Sequence, residues 1–181
     1  MIGSQAILGS VPNPPAELVQ SAEADLFPRH HPERADLIDG AIGEATLFNE
    51  TFGYYAHAVS PEMALAPAGW LDRLVAFKTE ATRGATGWCI EPHDLVLAKA
   101  AAGRSKDFRF LHAAIGARIV DPRILLERLP TLPPDRAVVG PIRTRPSPPR
   151  SQPGVRFKAL EPCTADRAPG RVSSSPADTD A

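Results

Sequence analysis

The sequence predicts an α/β domain of the α+β kind, a small mixed sheet flanked by helices, and three observations point to it. Up to about residue 90, short alternating or aromatic-rich runs are punctuated by Pro and Gly, the pattern of strands and turns. From residue 92 to about 130 the apolar residues fall at helical spacing instead. Beyond that, residues 137–181 are rich in Pro, Ser and Arg and poor in large apolar side chains, which cannot offset the entropy of ordering. The expected organisation is one domain over residues 1–136 and a disordered tail over 137–181, as the total length of 181 residues allows.

Taken in order, "MIGSQAILGS" reads as a strand running into a turn or helix start. A chain that begins inside such a segment suggests an N-terminally truncated domain. "VPNPP" is a breaker, and "SAEADLFP" then alternates as a strand closed by Pro28. "PERADLIDGAIG", with Pro32 at its start, predicts a helix over residues 32–43. Strands are expected in "TFGYYAHAVSP" and "GWLDRLVAFKT", and another at Trp88, Cys89 and Ile90. A helix follows, capped by His93 or Asp94 and stopped at Gly103. "SKDFRFLHAAIGARIV" is a second amphipathic helix. "DPRILLERL" is a third, with Asp121 as cap and Pro122 in the first helical position.

The bulk numbers exclude several classes. No apolar stretch approaches the ~20 residues a bilayer crossing needs, so no membrane partner is expected. Met-Ile-Gly-Ser has no basic leader, and Cys89 and Cys163 have no metal-ligand spacing, so a reducing, cytoplasmic setting is expected. The net charge of −1 divides into +3 on residues 137–181 and −4 on the rest. A mildly acidic body is not that of a dedicated nucleic-acid-binding domain.

Two constellations carry chemistry. Glu23 and Asp25 stand two apart on an expected strand, on one face, with Cβ atoms roughly 6–7 Å apart. One hard cation such as Mg²⁺ (or Mn²⁺) can bridge carboxylates so placed. Read alone, the pair suits a solvated strand face better than a metal site. Gly3 and Ser4 precede it, and a glycine followed by a hydroxyl suits close approach to phosphate oxygens at a helix start. The second constellation is Asp94, Lys99, Arg104 and Asp107. Lys99 and Arg104 can grip phosphate, and Asp107 can orient them or act as a base. Read alone, these four suit a polar helix junction with surface ion pairs better than a phosphate site. His30 and His31 read as a solvated loop, Trp70 and Trp88 as core or edge anchors, and Cys89 as a small buried hydrophobe.

The run from "IGSQAILG" through "SAEADLFP" and "FGYYAHAVSPE" to "EPHDLVLAKAAAGRSKD" resembles a bacterial nucleotidyltransferase-like family of unassigned function, related to the AbiEii toxins. The resemblance covers about residues 2–130, and "EPHDLVLAKAAAGRSKD" is its most specific part. It implies a nucleotidyltransferase fold with Gly3 and Ser4 holding a nucleoside triphosphate, and with Glu23 and Asp25 as the metal-binding acids. It further implies Lys99 and Asp107, beside Asp25, as the residues serving nucleotide and catalysis, with Arg104 on the nucleotide. The implied acceptor is an RNA, such as tRNA, or a protein hydroxyl, and a cognate antitoxin is an implied partner. Two departures stand out. The third carboxylate of the superfamily has no evident counterpart, His57 standing about where an acid is wanted, with Glu62 and Asp72 the nearest acids. The helix that usually precedes the Gly-Ser strand is also missing. The alternative expectation is therefore a catalytically impaired nucleotide-binding or interaction domain on the same fold.

Overall fold

Helix α3 (Pro92–Ala102) is apolar on nearly every side, burying Leu95, Val96, Leu97, Ala100 and Ala101. A helix of that pattern belongs in the middle of a domain. The computed structural model, which describes residues 1–133, places it there. The expected tail at 137–181, with Cys163, lies outside the described residues. Helices α4 (Ser105–Gly116) and α5 (Pro122–Arg128) pack on α3, adding Phe110, Leu111, Ala114 and Leu125 to the core. Ile7, Leu18, Ile90 and Trp70 close it from the N-terminal side. The mixed α+β character expected from the sequence is present.

The strands form two small sheets. β1 (Glu23–Leu26) pairs in parallel with β2 (Tyr55–Ala58), with Glu23 opposite Tyr55 and Asp25 opposite His57. β3 (Val75–Phe77) pairs antiparallel with β4 (Gly87–Cys89). Met1 and Ile2 lie between them: the Ile2 N–H donates to the Asp25 carbonyl and the Ile90 N–H to the Met1 carbonyl, each at 3.0 Å. The expected single mixed sheet is thus two pairs, one parallel and one antiparallel, joined by hydrogen bonds through two residues. α1 (Ala35–Ile42) lies against β2, where Asp39 Oδ1 accepts the Ala58 N–H at 2.8 Å.

Several boundaries differ from the sequence reading. Residues 1–10 are not a strand, because Ser4–Gly9 is a 3-10 helix. Gln5, Ala6 and Ile7 are buried in succession along that turn, so the apolar run that suggested a strand reports burial alone. In the aromatic stretch the strand starts only at Tyr55, since α2 (Leu47–Phe52) precedes it, capped by Thr46 and ended at Gly53. The run from Gly69 to Thr79 is a 3-10 turn at Trp70–Arg73 followed by β3. Helix α4 stops at Gly116, short of Val120.

At α3 the cap is Glu91, one residue before Pro92, and neither His93 nor Asp94. The Glu91 carboxylate accepts the N–H groups of His93 and Asp94 at 3.1 and 3.4 Å. Proline suits the first helical position because its missing N–H would have had no partner there, so Pro92 fixes the cap at residue 91. Asp121 caps α5 as expected, accepting the Arg123 N–H at 2.8 Å.

Candidate functional site

Strand pairing builds the acidic end of the site. Alternation along β1 sends Glu23 and Asp25 to one face, and the parallel register sets His57 beside Asp25. One ligand atom from each of Glu23, Asp25 and His57 lies within 4.8 Å of the other two. Glu23 Oε1 is 3.3 Å from His57 Nδ1. Ser21 fixes the start of the strand, its hydroxyl accepting the Glu23 N–H at 3.2 Å.

Gly3 serves this cluster by the space it leaves. A Cβ at that position would stand 1.8 Å from Asp25 Oδ2 and 2.8 Å from its Cγ. Its φ of −78° is open to any residue, so only the contact demands glycine. The carboxylate of Asp25 is thereby seated against the backbone of residue 3, with Ser4 next to it at the start of the 3-10 helix. The glycine and the aspartate, 22 residues apart in sequence, are one structural unit.

A tight corner builds the basic end. α3 ends at Gly103, whose φ of +73° is the left-handed conformation that glycine adopts without strain, and its N–H donates to the Lys99 carbonyl at 3.2 Å. α4 begins two residues later, so the last turn of α3 faces the first turn of α4. Lys99 Nζ therefore lies 3.7 Å from Asp107 Oδ1 and 5.0 Å over the Phe110 ring. Arg104 caps α4 from the other side, donating to Asp107 from Nε at 2.6 Å and from its terminal nitrogen at 3.3 Å. Asp107 is 1% exposed, with both oxygens engaged. These contacts suit the orienting role for Lys99 and Arg104, one of the two roles open to Asp107.

Both ends line one cleft of about 420 Å³, bounded by Ser4, Ser21, Glu23, Asp25, Lys99, Arg104 and Lys106, with Leu65 and Leu95 among its apolar walls. A second cleft of about 230 Å³ shares Ser4, Ser21, Lys99 and Lys106 with it and adds Asp107, Arg109 and Phe110. The Lys99 side chain is only 11% exposed, and burial pushes its pKa below the usual lysine value, against the opposing pull of Asp107. All seven predicted site residues thus meet around one cleft system: Gly3 through Asp25, and Asp107 through Lys99 and Arg104. Lys106 and Ser21 escaped the sequence reading. Lys106 was legible in principle, seven residues from Lys99 across a Gly103 turn.

Asp94 does not belong to the site. It is fully buried and sits between two guanidinium groups. Arg73 reaches it from Nε at 2.7 Å and from its terminal nitrogen at 3.1 Å, and Arg128 at 2.9 Å. Arg128 also donates to Glu91 at 2.6 Å. The carboxylate is held at the helix start by two cations, and it lines neither cleft. The apolar sequence around Asp94 carried that signal, since a lone acid inside an apolar helix must find partners.

A divalent cation fits the other cluster. Two carboxylates and an imidazole converge on one face, the missing Cβ of Gly3 leaves room for the Asp25 carboxylate, and the cleft beyond can admit anionic ligand atoms. Glu62 and Asp72, the acids considered for the third position, are not in the cluster, and His57 occupies that place. No protein-family model matches this chain, and no curated protein or solved structure matches it. No helix among the described residues is long and apolar enough to cross a membrane.

Proposed function

We propose that this chain is a metal-dependent nucleotidyltransferase that moves a nucleoside monophosphate from a nucleoside triphosphate to a hydroxyl. One observation carries the reading: a metal-suited cluster at Glu23 and Asp25 and three cationic side chains, Lys99, Arg104 and Lys106, share a single cleft. That is the charge arrangement a metal-bound triphosphate needs, with the cation at one end and phosphate oxygens along the other. Ser4 supplies a hydroxyl at the junction.

In the proposed reaction the acceptor hydroxyl oxygen attacks the α-phosphorus. A new P–O bond forms as the bond to the bridging oxygen breaks, and pyrophosphate leaves with the electron pair. Asp25, beside the attacking oxygen, takes the hydroxyl proton or passes it to water. Lys99 and Arg104 neutralise charge on the departing phosphates, and Asp107 positions both. A cation held by Glu23 and Asp25 would supply Lewis-acid polarisation of the phosphate. The acceptor class follows the resemblance in the sequence, an RNA such as tRNA or a protein hydroxyl, and a toxin partnered by an antitoxin is the corresponding setting.

The test is label transfer from α-labelled nucleotides to total RNA and to protein, with and without divalent cation. Transfer is expected to require metal and to fall on the order of a hundredfold or more in Asp25→Ala. Equal transfer by wild type and variant removes the reading. A second reading, nucleotide binding without chemistry, is favoured by His57 standing in place of a third carboxylate. Thermal-shift titration separates the two: stabilisation by nucleotide that is indifferent to metal supports the non-catalytic domain.

A further inference from the structure

The donor set at the acidic end differs from one built for magnesium. Mg²⁺ prefers oxygen ligands throughout, and an imidazole nitrogen gives it little. First-row transition ions take mixed carboxylate and imidazole ligands readily, and bind them more tightly along the series from manganese toward copper. Here the third position of the cluster is an imidazole. His57 reaches it because it sits opposite Asp25 in the parallel register, and its Nδ1 stands 3.3 Å from Glu23 Oε1. Half of its side chain remains exposed, so the ring is free to turn a nitrogen toward a cation without unpacking the core.

We propose that Glu23, Asp25 and His57 together ligate a transition-metal dication, with His57 as a direct nitrogen ligand, and that this site prefers such an ion to Mg²⁺. This deepens the reading above, because it rests on the same acid pair, and it names the metal class that pair would use. The three donors lie on one side of β1–β2, and two of them, Glu23 and Asp25, also line the cleft with Ser4 and Lys99. Water and phosphate oxygens can fill the remaining positions there. The chain's other histidine pair, His30 and His31, is on a separate exposed loop, with His31 already on Glu33 at 3.1 Å.

The experiment uses the full chain and the metal alone, with no nucleotide, so that it reads the site independently of any transfer activity. Co²⁺ is titrated by its visible absorption, and Mg²⁺ is added as competitor. The expected result is one Co²⁺ per chain, with a Kd on the order of tenfold or more below that of Mg²⁺. His57→Ala is expected to weaken Co²⁺ by a similar factor and to change Mg²⁺ much less. His57→Asp is expected to reverse the preference toward Mg²⁺ while keeping a folded site. Glu23→Gln should weaken both ions. Co²⁺ binding that survives both His57→Ala and Glu23→Gln lies elsewhere and overturns the proposal, as does equal affinity for the two metals in wild type. A chain that binds Co²⁺ as expected yet transfers no label would refute the nucleotidyltransferase reading and leave this one standing.

Discussion

Asp25 and Asp94 are the same side chain in opposite settings, and the two halves of the molecule differ in the same way. Asp94 lies in the helical half, with no exposed surface and two arginines on its oxygens. Asp25 lies in the β1–β2 half, at the edge of a cleft, with another acid beside it and no ion pair to an arginine among the described residues. Around Asp94 the charges cancel: Glu91 and Asp94 face Arg73 and Arg128. Around Asp25 the acids gather on one face beside His57, with no guanidinium between them. The burial pattern follows the charge. α3, α4 and α5 supply most of the core, whereas α1 and α2 bury no side chain and leave Leu37, Leu47 and Phe52 largely exposed. Asp94 is thus held by the fold, whereas Asp25 is open to the cleft.

Exchanging each aspartate for alanine should break this contrast most clearly. Asp94→Ala takes from the part-buried Arg73 and Arg128 a shared partner, leaving them Ala68 and Glu91, and is expected to cost no more than about 3–5 kcal/mol in denaturant unfolding. Asp25→Ala should leave the unfolding midpoint nearly unchanged or slightly raised, yet remove metal binding in the same preparation. If the two variants lose stability equally, the division into a structural and a functional acid fails.

Gly3→Ala tests whether the glycine belongs to the site or to the fold. The added methyl meets the Asp25 carboxylate, and overpacking of that kind costs about 1–3 kcal/mol. Metal affinity should fall with it, measured by titration calorimetry. A stable variant with unaltered metal binding would show that Asp25 need not sit where it does.

The acid limb of stability sharpens the comparison next. At Glu91 burial raises the carboxyl pKa, but the hydrogen bonds from His93 and Arg128 outweigh it, so the net shift is downward. A depressed carboxylate contributes stability above its unfolded pKa and loses it as pH falls through the folded one. Unfolding free energy should therefore drop as the pH goes below the usual glutamate range, and Glu91→Gln should flatten that drop. Urea titrations across pH 3–6, a span chosen from the ordinary carboxyl values, check this by the slope alone.

The smallest effect is expected on the outer layer. Phe52 stacks on Phe48 at 4.9 Å but is half exposed, so Phe52→Ala should cost no more than about 1 kcal/mol. Thermal unfolding will show it, and a much larger loss would mean that α2 contributes to the core more than its exposure indicates.

Much of the helical half was legible because its signals are local. Pro92, Gly103, Asp121 and Pro122 mark where helices start and stop through their own backbone restrictions, and α3, α4 and α5 sit where those residues put them. The cap of α3 was misplaced by only two or three residues, since a glutamate cap is less common than an aspartate one. The N-terminal half was harder to read. Its strands are three or four residues long, so alternation has little room to show, and a 3-10 helix replaced the expected first strand once Ile7 found the core. The acid pair, Lys99, Arg104 and Asp107 were visible as candidates from residue type and spacing. The exclusion of Asp94 was half visible: its apolar surroundings demand partners, but nothing within a few residues of it names Arg73 or Arg128.

By itself the sequence determined the mixture of helix and strand, the presence of the three helices from residue 92 onward, and the shared face of Glu23 and Asp25. Each of these depends on backbone geometry within a few residues. Only the tertiary structure decided that His57 joins the acid pair, that Gly3 makes room for Asp25, and that Lys99 and Arg104 reach the same cleft. Those outcomes need contacts between segments 20 to 80 residues apart, and such contacts are set by which apolar faces bury together. No local preference records that choice.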